Sequence, residues 1–217
     1  MAAESSARRS RSGGLRERKK QETRTALIQA ASRMVLERGL ENVLVEDIAA
    51  AANVSPRTFN NYFSSKLEAI CAIPMDRAKE IGATLRARPS DEPLWDALTA
   101  AVHQHYEGLG VDQAPDEQQM RRIRAVSLSP AVRGETPKIN AAMQRALAEA
   151  IADRTGTDVD QDMLPMILAG AVTAATGVAL RNWFAADPPC ALRPLLQRAL
   201  HELASAFAQL DQTGDHK

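Results

Sequence analysis

The chain is poor in the residues on which enzymes, secreted proteins and metal modules depend. Of its 217 residues only two are cysteine and 4% are aromatic. Cys71 and Cys190 stand alone with no histidine at ligand spacing, which excludes a disulfide framework and a zinc site and fits a reducing cytoplasm. His103 and His105 are two apart, diverge on a helix and cannot share one metal, so one is expected to face inward and the other water. There is no Gly-rich phosphate loop and no Ser or Cys nucleophile in a recognisable elbow. An enzyme reading therefore has no foothold, and neither a metal nor a cofactor is implied. No stretch alternates convincingly with period two, so the expected fold is all-α.

Net charge is also missing: 27 basic side chains meet 27 acidic ones. The distribution is uneven, however. Residues 1–70 carry 12 Lys and Arg against 8 Asp and Glu, whereas residues 71–217 carry 15 against 19. The N-terminal part is the one attracted to phosphate. Residues 1–14, rich in Ser, Arg and Gly, read as a disordered basic tail, serving either as an arm on DNA or as a solvated extension. The pair Arg8-Arg9 precedes no apolar region and is not an export signal.

What is present is concentrated between Leu44 and Phe63, LVEDIAAAANVSPRTFNNYF. Ile48, Ala49 and Ala52 share one side of a short helix, and Asn53 suits a left-handed turn. Ser55 as N-cap with Pro56 at the first helical position starts a second helix, running to about Tyr62. Phe59 and Phe63 point inward, which leaves Arg57, Thr58, Asn60 and Asn61 outward, side chains suited to base edges and phosphates. Upstream, Leu27, Ile28, Ala31, Met34 and Val35 form a buried stripe that stops at Gly39. Downstream, Ser65 and Glu68 form a capping box.

In order and spacing these residues, from the leading helix with Gly39 through Val45–Ala52, Val54-Ser55, Thr58-Phe59, Tyr62-Phe63 and Ser65-Lys66, resemble the TetR family of bacterial transcriptional regulators. The specific resemblance covers about residues 21–70. Two positions depart from it: Val43-Leu44 stand where the family commonly has two threonines, and Asn60 where it usually has an aromatic. The resemblance implies a helix-turn-helix DNA-binding domain over 15–70 and a helical effector-binding and dimerisation domain over 71–217. It further implies a cytoplasmic, nucleoid-associated homodimer, most simply a repressor, on a palindromic operator. Arg57, Asn60 and Asn61 would read bases, while Thr58, Tyr62 and Lys66 would hold phosphates. An effector-independent architectural DNA-binding protein, or an activator recruiting a protein partner, is the alternative.

In the second domain helices are expected over residues 65–86, 93–107, 115–128, 137–154, 162–186 and 190–210, with a kink or break near Cys71–Ile73 caused by Pro74. By resemblance that helix couples effector to DNA. Residues 163–180 form an uncharged run of 18. Its single proline, Pro165, its glycines and threonines and its charged ends favour a buried helix over a membrane span. Gly170, Ala174 and Gly177 place small residues on one side. Together with Leu192, Leu195, Leu196, Leu200, Leu203 and Phe207, they resemble the family's dimer face, so the Met163–Ala186 and Cys190–Leu210 helices are expected to pair across a two-fold axis. The remaining helices would enclose a small-molecule pocket, with Trp95, Val102, His103, Tyr106, Met120, Ile123, Arg124, Met166 and Trp183 as its candidate lining. That largely apolar set suggests a lipophilic effector, such as an acyl chain or its thioester.

Overall fold

A computed structural model describes the backbone of residues 2–106 and 112–214 and the side chains of residues 16–106 and 112–206. The described residues contain α-helices and one 3-10 turn, and no strand. They divide into two compact units, Met1–Ile73 and Pro74–Lys217.

The first unit opens with α1, Ala2–Arg38. Its backbone is helical across residues 2–14, where composition alone predicts a disordered tail. Propagation from a formed helix costs little per residue, and Ala, Arg and Glu favour it. The side chains of Arg8, Arg9 and Arg11 lie outside the described residues. Leu27, Ile28, Ala31, Met34 and Val35 are buried as their spacing predicts. Gly39 ends the helix at φ +83°, and its N–H donates to the Val35 carbonyl at 2.8 Å. A left-handed backbone there is cheap only for glycine. After the 3-10 turn Leu40–Asn42 come α2, Val45–Ala51, and α3, Pro56–Asn60. Val43, Ile48, Ala49, Phe59 and Phe63 close this core.

Helix α4 spans Lys66–Ala87 through Pro74 without the expected break. A proline forfeits one hydrogen bond. The cap at one end and the buried Ala69, Ala72, Ala78, Ile81 and Leu85 along its length offset that loss.

The second unit continues with α5, Leu94–Tyr106, α6, Glu117–Ser127, α7, Pro130–Thr155, α8, Met163–Ala185, and α9, Leu192–Gly214. Glu107, Phe207 and Leu210, expected in α5 and α9, lie outside the described side chains. Helix α7 begins seven residues before the predicted Pro137. Ser129-Pro130 repeats the start signal of Ser55-Pro56, with the Ser129 hydroxyl accepting from the Val132 N–H. The core joins Ile81 and Leu85 to Leu98, Val102, Leu147, Ile151, Val172, Leu196 and Leu200. Helices α4 and α7 approach closely at Gly82, where an added Cβ would lie 3.2 Å from Ala150 Cβ and 3.3 Å from the Ala146 carbonyl oxygen.

Helix α8 is long and apolar enough to cross a membrane by length and composition. It packs instead between α7 and α9. Pro165, Ala169, Val172, Thr176 and Ala179 are buried there, while Met163, Leu164, Met166, Ile167 and Val178 remain exposed.

Candidate nucleic-acid interface and effector cavity

The exposed face of α3 depends on the turn before it. Asn53 has φ +56°, and the Val54 N–H donates to the Ala49 carbonyl at 2.9 Å, which reverses the chain. Ser55 Oγ accepts from the Thr58 N–H at 3.1 Å and contacts the Thr58 hydroxyl at 2.9 Å. Phe59 is completely buried, its ring 5.7 Å from that of Phe63. The Arg24 guanidinium of α1 lies 5.3 Å over the Phe63 ring. With this inner face fixed, Arg57, Asn60 and Asn61 are exposed, and Thr58 and Tyr62 are half-buried. The helix is shorter than predicted: it ends at Asn60, and Asn61 and Tyr62 form a turn.

Two expected roles become more particular. The Thr58 hydroxyl and N–H are both engaged with Ser55 Oγ at the cap. Lys66 Nζ donates to the Val43 carbonyl at 2.8 Å, so this ammonium ties α4 to the segment before α2. The capping box is displaced by one residue. Ser65 Oγ accepts from the Glu68 N–H at 3.1 Å, but the Glu68 carboxylate accepts from the N–H and hydroxyl of Ser64, both at 2.6 Å. Those two bonds hold the Glu68 carboxyl below its ordinary value.

Within the second unit a partly open cavity of about 30 Å³ is lined by Arg77, Ala78, Ile81, Val102, Tyr106, Met143, Leu147, Val172, Thr173 and Thr176. Of the nine residues expected to line a pocket, Val102 and Tyr106 reach it. Met120 is fully buried in packing, and Trp95 and Trp183 pack against the core. The Trp183 indole N–H donates to the Cys190 carbonyl at 2.8 Å. Met166 lies on the exposed side of α8. Arg124 donates to the Ala186 carbonyl at 2.7 Å and faces a separate, open polar recess with Glu117, Arg121 and Asp187. His103 and Ile123 are half-buried and outside the lining. His105, expected to diverge from His103 toward water or core, is also half-buried, with Nδ1 3.2 Å from a Glu80 carboxylate oxygen. The miss has one cause: lining depends on which faces of α4, α5, α7 and α8 meet, and periodicity assigns a face to the inside without naming its neighbours.

Residues 27–69 match the bacterial regulatory proteins of the TetR family, and residues 92–208 match the MftR C-terminal domain. The HTH-type transcriptional regulator TcmR of Streptomyces glaucescens is 34% identical over 178 residues, 79% of this chain and 77% of TcmR. The chain belongs to the TetR family. It is accordingly a transcriptional regulator of helix-turn-helix type, in a family of regulators rather than enzymes. Solved TetR-family structures share the fold. SmeT, repressor of the Stenotrophomonas maltophilia efflux pump SmeDEF, aligns with TM-score 0.53 at 17% identity over 85% of this chain and 91% of SmeT. A Syntrophomonas wolfei protein described as a TetR-family regulator aligns with TM-score 0.59 at 15% identity over 86% of this chain and 95% of its own.

Against the TetR-family pattern, the Val43-Leu44 departure has a visible outcome. Val43 is fully buried, and Leu44 caps α2 with no side-chain hydrogen bond. Elsewhere in the second unit, an open groove of about 430 Å³ runs between α8 and α9, walled by Ala171, Ala174, Val178, Leu195, Ala199 and Leu203. A Cβ added at Gly170 would meet nothing within 4 Å.

Proposed function

We propose that this chain is a homodimeric repressor that lays α3 in the DNA major groove and is released by a small molecule. Arg57, Asn60 and Asn61 read base edges, and Thr58, Tyr62 and Lys66 set register on phosphates. Exposure of Arg57 and Asn60 on a helix whose opposite side is locked by Phe59, and of Asn61 in the turn that ends it, is the observation that carries the reading. The second copy docks on the α8–α9 groove, where an apolar face is uncovered and glycine and alanine leave room for another backbone. Two α3 helices about one DNA turn apart then require a near-palindromic site. The domains act as 15–70 for DNA and 71–217 for effector and dimer, and the protein works in the cytoplasm. Effector binding frees DNA by favouring an arrangement in which the paired α3 helices miss their half-sites, to the extent of its differential affinity for the two states. SmeT, of the same fold, has been solved with triclosan.

Selection of duplexes from a random-sequence pool by the purified full chain tests this. The expected product is a near-palindromic site bound by two chains. Enrichment of an asymmetric site, or of none, refutes it.

A second reading, an architectural DNA-binding protein with no effector, is favoured by the small size of the cavity, which has room for about one water. It is separated from the first by whether any small molecule changes operator affinity.

A further inference from the structure

The cavity of the second unit is largely apolar, with a few polar groups brought to it from α4, α5 and α8. Ala78, Ile81, Val102, Met143, Leu147 and Val172 form the apolar part, while Arg77, Tyr106, Thr173 and Thr176 bring polar groups to it, and no carboxylate lines it. Arg77 Nη1 donates to the Tyr106 hydroxyl at 3.3 Å, and the guanidinium carbon lies 4.8 Å from the centroid of the Tyr106 ring. Stacking and hydrogen bond together hold the cation at the wall. Its Nε is buried without a hydrogen-bond partner.

A guanidinium offers five N–H donors, and leaving a charged donor unsatisfied in apolar surroundings is unfavourable. Arg77 is half-buried, so its Nε faces inward while the side chain as a whole keeps access to solvent. The charge is felt by its neighbours: His105 on α5 lies below its ordinary value, first through burial and second through Arg77. Arg124 Nε is likewise buried without a hydrogen-bond partner, but the open recess beside it is lined by the carboxylates Glu117 and Asp187, and Glu117 pairs with Arg121 at 3.3 Å.

We propose that the second unit binds an organic anion with an apolar body. Arg77 receives its carboxylate or phenolate oxygen, supported by Tyr106 and Thr176. The inference rests on the reading of this chain as an effector-controlled regulator, and it names the effector's chemical class. A guanidinium donates two parallel hydrogen bonds to a carboxylate, a geometry that a neutral alcohol cannot use. The cavity opens by displacement of Met143, which is half-buried, unbranched and adaptable.

The test is calorimetric titration of the full-length protein with two matched pairs, decanoate against 1-decanol and 2-naphthoate against 2-naphthalenemethanol. In at least one pair the anion is expected to bind about tenfold or more tightly than the alcohol. Arg77→Gln should reduce anion affinity to that of the alcohol and leave the alcohol unchanged, and Arg77→Lys should retain part of the preference. Should Arg77→Gln fail to fold, Tyr106→Phe keeps the ring and should lower anion affinity alone. Equal affinity within both pairs, a preference that survives Arg77→Gln, or no binding of any probe overturns the proposal. DNA binding is measured on the same preparation. Intact operator binding without anion preference removes this inference only, whereas loss of specific DNA binding removes the regulator reading beneath it.

Discussion

Replacing Ser55 by alanine isolates the contribution of one hydroxyl to the DNA-reading helix. The substitution removes the acceptor of the Thr58 N–H and the partner of the Thr58 hydroxyl, at 3.1 and 2.9 Å. Ser55 is exposed, so water can hydrate the orphaned N–H, and the cost is about 1 kcal/mol within the usual range for N-caps. Helix α3 has five residues and no stability of its own, so this loss is drawn from the first unit as a whole. For a unit of 73 residues, about 1 kcal/mol moves Tm down by roughly 4–8 °C. Calorimetry of the full chain should show the transition of the first unit shift while that of the second stays in place. Because the base readers Arg57 and Asn60 ride on α3 and Asn61 follows it directly, DNA affinity should fall more on operator than on random duplex. Ser55→Thr keeps an acceptor and should restore both properties to within a few tenths of a kcal/mol. Unchanged stability in Ser55→Ala, or a threonine as damaging as alanine, would refute the assignment of Ser55 as the cap that holds the reading face.

Arg57→Ala should cost about 1–3 kcal/mol on the operator and little on random DNA, measured by anisotropy titrations across salt concentrations; equal losses on both would remove it as a base reader. Lys66→Met should weaken binding to all sequences and also lower stability by about 1 kcal/mol, because it deletes the bond to the Val43 carbonyl. Urea unfolding measures the second effect, and an unchanged midpoint contradicts it. Ala174→Arg places a cation on each copy's exposed α8 face; light scattering should report a monomer of unchanged helix content, and a persisting dimer would mean that the copies pair elsewhere. The Glu68 carboxyl titrates lower in the folded chain than the ordinary 4.5. Its stabilising bonds to Ser64 are therefore complete above that value and lost as pH falls through the lower folded one. In Glu68→Gln that part of the acid-side decline should vanish, and an identical acid profile would contradict the role given to the carboxylate.

The features legible in the sequence are those written locally. Gly39 at positive φ, Asn53 in the left-handed turn and Ser55-Pro56 at a helix start each follow from one residue's own backbone preference. The apolar stripe from Leu27 to Val35 is likewise a single-helix pattern. The start of α7 is as local, since Ser129-Pro130, seven residues ahead of Pro137, carries the same signal as Ser55-Pro56. The displaced reach of Glu68, to Ser64 rather than Ser65, depends on a rotamer that spacing does not specify. The cavity was least legible. Arg77 is one charged residue on a helix with exposed Lys79 and Glu80 nearby, and only the packing of α4 against α5 brings it to Tyr106. Met166 illustrates the reverse: an apolar residue in an apolar helix that lies on the uncovered side.

The central claim, that this chain reads DNA through α3 as a paired regulator, is tested most directly by footprinting the purified protein on the DNA flanking its own gene. The account predicts protection of a near-palindromic site there, on one face of the duplex, weakened by Arg57→Ala while non-specific affinity is retained. Failure to protect any site, with no binding to random genomic fragments either, would contradict it.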